Sequence, residues 1–310
     1  MKISVVMSTY NGEKFIKEQL DSIFKQTRQA DEIVVFDDNS SDKTFESVKK
    51  ISKSYPQVSF VLHKNKANQG WKVNFRNAIL AASGDLIFCA DQDDIWLPDK
   101  IEKMSDVMEK HPDIEVLGAD FDRVNQDGKT ISSRFLHKRD GLENELEKVY
   151  FDKRFMVTKS PGCNLCITKQ IQYLFGSTFW DTFLPHDEFI WVIGELRGTA
   201  WMTSNVYMLH REHGNNVSVR LKLSGEERAN ALMALSKSAQ HYREVVDKID
   251  CNSLQTRKIV TEFSDCIKLR MSFISCPTTK KFTELIKKTN YYYSKKSFVC
   301  DIAQAIGILK

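Results

Sequence analysis

Three carboxylates fall within four residues at Asp91, Asp93 and Asp94, directly after an apolar run that ends at Ala90. Like charges gathered at the end of a buried strand repel one another and lose hydration, a cost that a bound divalent cation removes. Such an ion, Mn2+ or Mg2+, bridges a diphosphate as Lewis acid and template for its departure. An acidic turn capping a helix that begins at Pro98 accounts for the same residues, with Asp91 or Asp94 as the cap. Cys163-Asn164-Leu165-Cys166 has a second metal-like spacing. No further ligand pair accompanies it, so both thiols are expected as small core residues.

Such a cluster acts only if other polar residues are delivered to it. The first hundred residues alternate β-rich runs with helical patterns. Strands are predicted at Ile3–Ser8, Glu32–Asp37, Val58–Leu62 and Asp85–Ala90, and helices at Glu13–Lys25, Ser41–Ser54 and Trp71–Ala82. Alternation of this kind implies a parallel sheet joined by right-handed crossovers. Each strand ends in polar residues, and in open α/β sheets those carboxyl ends line the ligand crevice. Residues Ile114 to Met208 read as a mixture of strands with a helix near Asp187–Leu196, and from Ser224 onward the pattern is helical apart from Pro277. The expected fold is therefore α/β, with residues 1–220 as a catalytic domain divided near 110 and 221–310 as a helical appendage.

Four motifs follow one another in this half. They are Ser4-Val5-Val6-Met7-Ser8-Thr9-Tyr10-Asn11-Gly12, Val34-Val35-Phe36-Asp37-Asp38-Asn39-Ser40-Ser41-Asp42, Asn68-Gln69-Gly70 with Asn74-Phe75, and Asp91-Gln92-Asp93-Asp94-Ile95-Trp96. Pro161-Gly162-Cys163-Asn164, His186-Asp187 and His210-Arg211-Glu212-His213-Gly214-Asn215-Asn216-Val217 continue the series. In this order and content the chain resembles the family 2 glycosyltransferases of GT-A fold, a Rossmann-like mixed sheet flanked by helices. Within them it is similar to the rhamnosyltransferase-like members of bacterial surface polysaccharide synthesis.

The resemblance implies an inverting, metal-dependent transfer from a dTDP- or UDP-linked sugar to a glycan or lipid-linked glycan. Ser8, Thr9, Tyr10, Asn11 and Glu13 would hold the nucleotide, where a tyrosine ring can stack on a base. Asp38 matches the carboxylate that accepts from a pyrimidine imide, while Asn68, Gly70 and Asn74 complete the donor pocket. Asp91 and Gln92 would lie near the ribose or donor sugar, with Asp93 as direct metal ligand and Asp94 as its support or a helix cap. His213 matches a position that reaches the metal in some relatives, and imidazole beside carboxylate suits manganese. Asp187 matches the base that takes the acceptor hydroxyl's proton. It also reads as an N-cap, and a helix dipole keeps such a carboxylate ionised. His210 is assigned no role, and Lys72 and Arg76 read as an exposed helix face.

Composition narrows the alternatives. The chain has 310 residues, 42% hydrophobic and 28% charged, enough for a large core. Seven scattered cysteines fit reduced thiols, and no apolar run approaches a membrane span, so a cytoplasmic protein is expected. A net charge of +4 gives no ground for nucleic acid binding. The charge is concentrated: from Thr278 to Lys310 the tail carries +5, and everything before it sums to −1. Its lysine pairs alternate with Phe282, Leu285, Ile286, Tyr291, Tyr292, Tyr293, Phe298 and Val299, a pattern that suits an anionic membrane surface, packing on the catalytic domain, or a homodimer. No G-x-G-x-x-G follows any strand, against a dinucleotide oxidoreductase. A sugar nucleotidyltransferase usually opens with a glycine-rich basic loop, and the first strand here leads into Ser-Thr-Tyr-Asn-Gly. A catalytically silent nucleotide-sugar-binding subunit is the remaining alternative.

Overall fold

The structure, a computed structural model, describes residues 1–131, 146–177, 185–214, 225–249 and 253–308. Asn215, Asn216 and Val217 of the last motif, the expected boundary at 220, and Lys310 of the tail lie outside the described residues.

Strands β1 (Ile3–Thr9), β2 (Glu32–Asp37), β3 (Ser59–Lys64) and β4 (Leu86–Ala90) lie in the order β3-β2-β1-β4, all parallel. Helices α1 (Ile16–Phe24), α2 (Thr44–Ser52) and α3 (Trp71–Ala81) connect them. A two-residue strand β5 (Ile95–Trp96) and helix α4 (Lys100–Lys110) follow. The sheet then turns mixed. Strand β8 (Leu165–Thr168) pairs antiparallel with both β4 and β6 (Val116–Asn125), and β9 (Ala200–Glu212) runs parallel to β6. Strand β7 (Leu146–Lys148) pairs with the first part of β9, and β5 with its far part. Helices α5 (Lys169–Ser177) and α6 (His186–Arg197) complete this half.

Central strands are apolar on both faces because both faces are covered. Val5, Val6, Met7 and all of Leu86–Ala90 are fully buried. On one side Val5, Met7, Ile33 and Phe88 pack with Leu20 of α1 and Ile101 and Met104 of α4. On the other, Val6, Val34, Ile87 and Cys89 pack with Phe75 of α3, Phe175 of α5 and Ile190 of α6. That second core continues into helices α7 (Gly225–Ile249), α8 (Leu254–Ser275), α9 (Thr279–Lys287) and α10 (Lys295–Ala305) through Tyr242, Val260, Phe263 and Ile267. Ser253, Thr278 and Ser294 cap α8, α9 and α10, each hydroxyl accepting the amide three residues on.

The tail thus packs inward. Leu285, Tyr291 and Tyr292 are buried, and the Phe282 and Phe298 rings stack 6.3 Å apart, whereas Ile286, Tyr293 and Val299 remain exposed. None of the described helices is long and apolar enough to cross a membrane.

Several predicted boundaries move for local reasons. Helix α1 begins at Ile16 instead of Glu13, because Gly12 O accepts from both Phe15 N and Ile16 N in a preceding turn, each at 3.0 Å. Helix α2 begins at Thr44, since Ser41 and Lys43 donate their amides to Asn11 and Glu13 side chains. The helix expected at Pro98 begins at Lys100, and neither Asp91 nor Asp94 caps it, as β5 intervenes and Asp99 occupies the cap position. Asp187 is likewise not the N-cap of its helix. Pro185 holds that position, and Asp187 lies in the first turn.

Candidate active site

Parallel pairing brings the carboxyl ends of β1, β2, β3 and β4 to one edge of the sheet, and a web of hydrogen bonds joins them. Asn11 N donates to Ser40 Oγ at 2.9 Å, Gly12 N to Thr44 Oγ1 at 2.8 Å, and Glu13 N to Asp42 at 3.1 Å. Tyr10 is left 48% exposed above this web, with an open ring. Asn11 and Asn39 adopt left-handed backbone, at φ 47 and 63, which asparagine tolerates better than most residues.

Asp38 is buried, and its oxygens accept Asn65 Nδ2, Gln69 N and Gly70 N at 2.8 to 2.9 Å. It therefore pins the loop carrying Asn68 and Gly70, whose own bond runs from Gly70 N to Asn68 Oδ1 at 3.0 Å. Asn74 on α3 donates to Ser8 Oγ at 2.8 Å and Phe36 O at 2.6 Å, locking that helix to β1 and β2. The Gln92 side chain is spent on the backbone of Tyr10, and Gly12 is required beside it: an added Cβ would stand 2.2 Å from Gln92 Oε1.

Carboxylate oxygens of Asp91, Asp93 and Asp94 lie within 4.8 Å of one another. Burial, then the charges of Asp94 and Asp93, push Asp91 up to about 8. Burial and Asp94 also raise Asp93, although His213 Nε2 at 2.8 Å from its Oδ2 opposes the shift. This fits a divalent cation: oxygen ligands converge, their ionised forms are disfavoured without a counter-charge, and an imidazole adjoins. Asp94 behaves differently. Burial alone would raise it, but the His210 Nδ1 contact at 2.9 Å and the Arg211 amide at 3.0 Å outweigh that and hold it below the usual carboxylate range. Burial works against charge on His210, yet Asp94 with Asp91 and Asp93 keeps its pKa at about 9.

Three supports were not legible as site residues. His210 neutralises Asp94. Arg211, 1% exposed, donates to Asp93 O at 2.8 Å, Gln126 O at 3.0 Å and Glu18 Oε2 at 2.6 Å, fastening β9 to the acidic loop and α1. Lys100 is fully buried with Nζ 2.6 Å from Asn164 Oδ1 and 4.4 Å from the Trp96 ring centroid, and burial lowers it to about 8. Their hydrogen-bond partners are 64 to 193 residues distant in the chain, so no local spacing signals those bonds. Cys163 and Cys166 are buried free thiols, with Cys163 Sγ grouped beside Asp94 and His210.

Asp187 approaches from α6. Its neighbour His186 is 4% exposed, stacks on Phe75 at 3.9 Å and 9°, and meets Trp71 edge-on at 6.2 Å. Burial lowers its pKa and neither ring nitrogen has a hydrogen-bond partner among the described residues, so His186 is a neutral spacer. Gly162 adjoins both side chains: a Cβ there would meet His186 Nε2 at 2.5 Å and Asp187 Cβ at 3.0 Å. Cys163, the next residue after Gly162, groups its Sγ with Asp94 and His210, so one turn adjoins both Asp187 and the acidic cluster.

A sheet that passes from parallel to mixed pairing, with acidic residues at its carboxyl edge, is the GT-A form that solved glycosyltransferases share with this chain. The glycosyl transferase family 2 domain matches residues 4–173, more than half of the chain, and the chain belongs to this family. It is similar to the dTDP-rhamnosyl transferase RfbG of Shigella flexneri, 28% identical over 220 residues that cover 68% of this chain and 72% of that one. An uncharacterized glycosyltransferase of Methanocaldococcus jannaschii is 31% identical over 173 residues, 55% of this chain and 58% of its own length. Among solved structures, S. aureus TarS 1-349 in complex with UDP-GlcNAc shares the fold at TM-score 0.63 and 16% identity, covering 93% of this chain and 79% of that one. Mannosyltransferase PcManGT from Pyrobaculum calidifontis, in complex with GDP-Man and Mn2+, superposes at TM-score 0.51 and 14% identity, over 98% and 84% of the two chains.

Proposed function

We propose that this glycosyltransferase moves a sugar, with inversion, from a dTDP- or UDP-linked donor onto a glycan or lipid-linked glycan of cell-surface polysaccharide. The observation that carries this reading is that the Asp91–Asp94 loop is tied through Gln92 to the backbone of the exposed Tyr10, and meets through Cys163 the Gly162 turn that adjoins Asp187. Likeness to RfbG favours dTDP-rhamnose, and likeness to TarS keeps UDP sugars open.

In this reading the exposed Tyr10 ring stacks on the base, the Ser8–Glu13 turn holds that ring in place, and the Asp38-pinned loop with Asn68 and Gly70 closes the donor pocket, with Asn74 anchoring α3 behind it. Asp93, with Asp91 and His213 beside it, would hold a divalent metal, which supplies charge neutralisation to a departing diphosphate. The Mn2+ complex of PcManGT supports such an ion. Asp187, in the first turn of α6, takes the proton of the acceptor hydroxyl as that oxygen attacks the anomeric carbon from the face opposite the diphosphate.

The outer face of α9 and α10 supports contact with an anionic membrane on the cytoplasmic side, where a lipid-linked acceptor is presented. Lys280, Lys287, Lys295 and Lys296 are exposed there together with Ile286, Val299 and Ile306.

A thermal-shift screen of nucleoside diphosphates and their sugars, with and without Mn2+, on wild type and Asp93→Ala tests the proposal. One donor class should stabilise the wild type only with metal, by about 2.7 kcal/mol at a hundredfold excess over Kd, and the variant should lose the effect. No shift with any nucleotide would move a silent scaffold subunit to the front.

A further inference from the structure

Trp71 has no role in the donor site, yet it stands between the donor loop and Asp187. It is the first residue of α3, directly after Gly70, whose amide is held by Asp38. Its ring meets the edge of His186 at 6.2 Å and 79°, and His186 is the residue before Asp187. Trp71 is 37% exposed, whereas Trp96 and Trp191 are buried and Trp201 is half-buried.

Stability does not explain an exposed indole here. The first helical turn favours proline or acidic side chains, which complement the free amides and the dipole. The anchoring of α3 is already supplied by Asn74 and by Phe75, 2% exposed and stacked on His186. What an indole offers in this position is a flat, electron-rich face. The C–H face of a sugar ring is weakly positive and apolar, and its rim of hydroxyls points outward, so the two surfaces complement each other. Lys72 Nζ stands 5.6 Å from the ring centroid, on a flexible stem that can swing aside for a ring-sized ligand.

Building on the transferase reading above, we infer that Trp71 is the stacking platform of the acceptor subsite and selects a sugar ring whose hydroxyl is thereby presented to Asp187. His186, stacked on Phe75 and edge-on to Trp71, ties the platform to the residue before the base, so the acceptor ring is positioned by the same element that closes the donor pocket. Tyr10, held through its backbone by Gln92, serves the nucleotide base in that reading and is not interchangeable with Trp71.

The test uses the full chain as wild type, Trp71→Ala and Trp71→Tyr. Saturation-transfer NMR with methyl glycosides of rhamnose, glucose and N-acetylglucosamine, in the presence of Mn2+ and the nucleoside diphosphate that stabilises the wild type, reads glycoside binding. Transfer to the glycoside that binds reads KM and kcat. Trp71→Ala should weaken binding and raise the glycoside KM about tenfold, Trp71→Tyr should recover most of that, and the nucleotide thermal shift should be the same in all three. An unchanged glycoside KM in Trp71→Ala, absence of glycoside binding to the wild type, or a loss of the nucleotide shift in the variant each overturns the inference. A wild type that binds no nucleotide fails at the earlier step and overturns the transferase reading together with this one.

Discussion

Gln92 clasps the backbone of Tyr10 as a strand neighbour would: Oε1 accepts from Tyr10 N at 2.9 Å, and Nε2 donates to Tyr10 O at 3.0 Å. One side chain thus ties the turn expected to hold the nucleotide base to the loop that carries the acidic cluster. Each such bond is worth about 0.5–1.5 kcal/mol. Gln92→Ala should lower the melting temperature by a few degrees and raise the donor KM, while leaving unchanged the divalent-cation binding proposed for Asp93. Calorimetric titrations of metal and nucleotide, done separately, check this split, and equal loss of both would refute it.

Gly162→Ala probes the opposite wall of the site. A methyl 2.5 Å from His186 Nε2 and 3.0 Å from Asp187 Cβ must displace the start of α6. Misplacement of a reacting group by about 1 Å can cost on the order of a hundredfold in rate. Steady-state kinetics should therefore show kcat falling by at least about tenfold with donor KM nearly unchanged. A variant with wild-type kcat would separate Asp187 from the chemistry.

Arg211→Met removes a buried guanidinium that satisfies Asp93 O and Gln126 O and pairs with Glu18. Leaving buried acceptors unsatisfied costs about 1–3 kcal/mol each. Thermal melts should fall by several degrees, and the Mn2+-dependent stabilisation should shrink as β9 loosens from the acidic loop. Arg211→Lys keeps the charge but lacks the fork that reaches three oxygens, so it should rescue little.

Glu195 supplies a pH signature. Its carboxylate is 4% exposed, neither oxygen has a hydrogen-bond partner among the described residues, and burial pushes its pKa up to about 9. An unfolded glutamate titrates near about 4.3. Between those values the native state keeps a proton that the unfolded chain releases, so this group's contribution to stability declines as pH rises from about 4.3 towards 9. Glu195→Gln cannot lose that proton. Its melting temperature should gain on the wild type steadily from pH 5 to pH 9, and parallel profiles would show that Glu195 is ionised in the fold.

Much of the donor half could be read directly from the chain. Apolar runs such as Ile3–Met7 sit between polar turns, and parallel pairing then forces their ends together. The tail was legible only as three alternatives, because a helix with lysines on one side and aromatics on the other looks the same whether its apolar side meets lipid, the catalytic domain or a second copy. Phe282 against Phe298, and Leu285 in the core, resolve the aromatic side as inward. His210 and Arg211 were beyond reach for a different reason. Asp94 meets them through the register of β9 against β5, and Glu18 reaches Arg211 from α1; pairings between segments more than a hundred residues apart leave no periodic trace.

That late strand also bears on how the molecule is made. His210, Arg211 and His213 all arrive on or just after β9, long after Asp91–Asp94 have left the ribosome. Until then the nascent acidic loop lacks its imidazole and guanidinium counter-charges, and β6 presents an open edge. The parallel β6–β9 pairing closes an interval of some eighty residues, a slow step in a high-contact-order topology. Chains halted shortly before Ala200 should accordingly stay protease-sensitive on stalled ribosomes, and protection should appear only when the emerging segment includes Glu212 and His213.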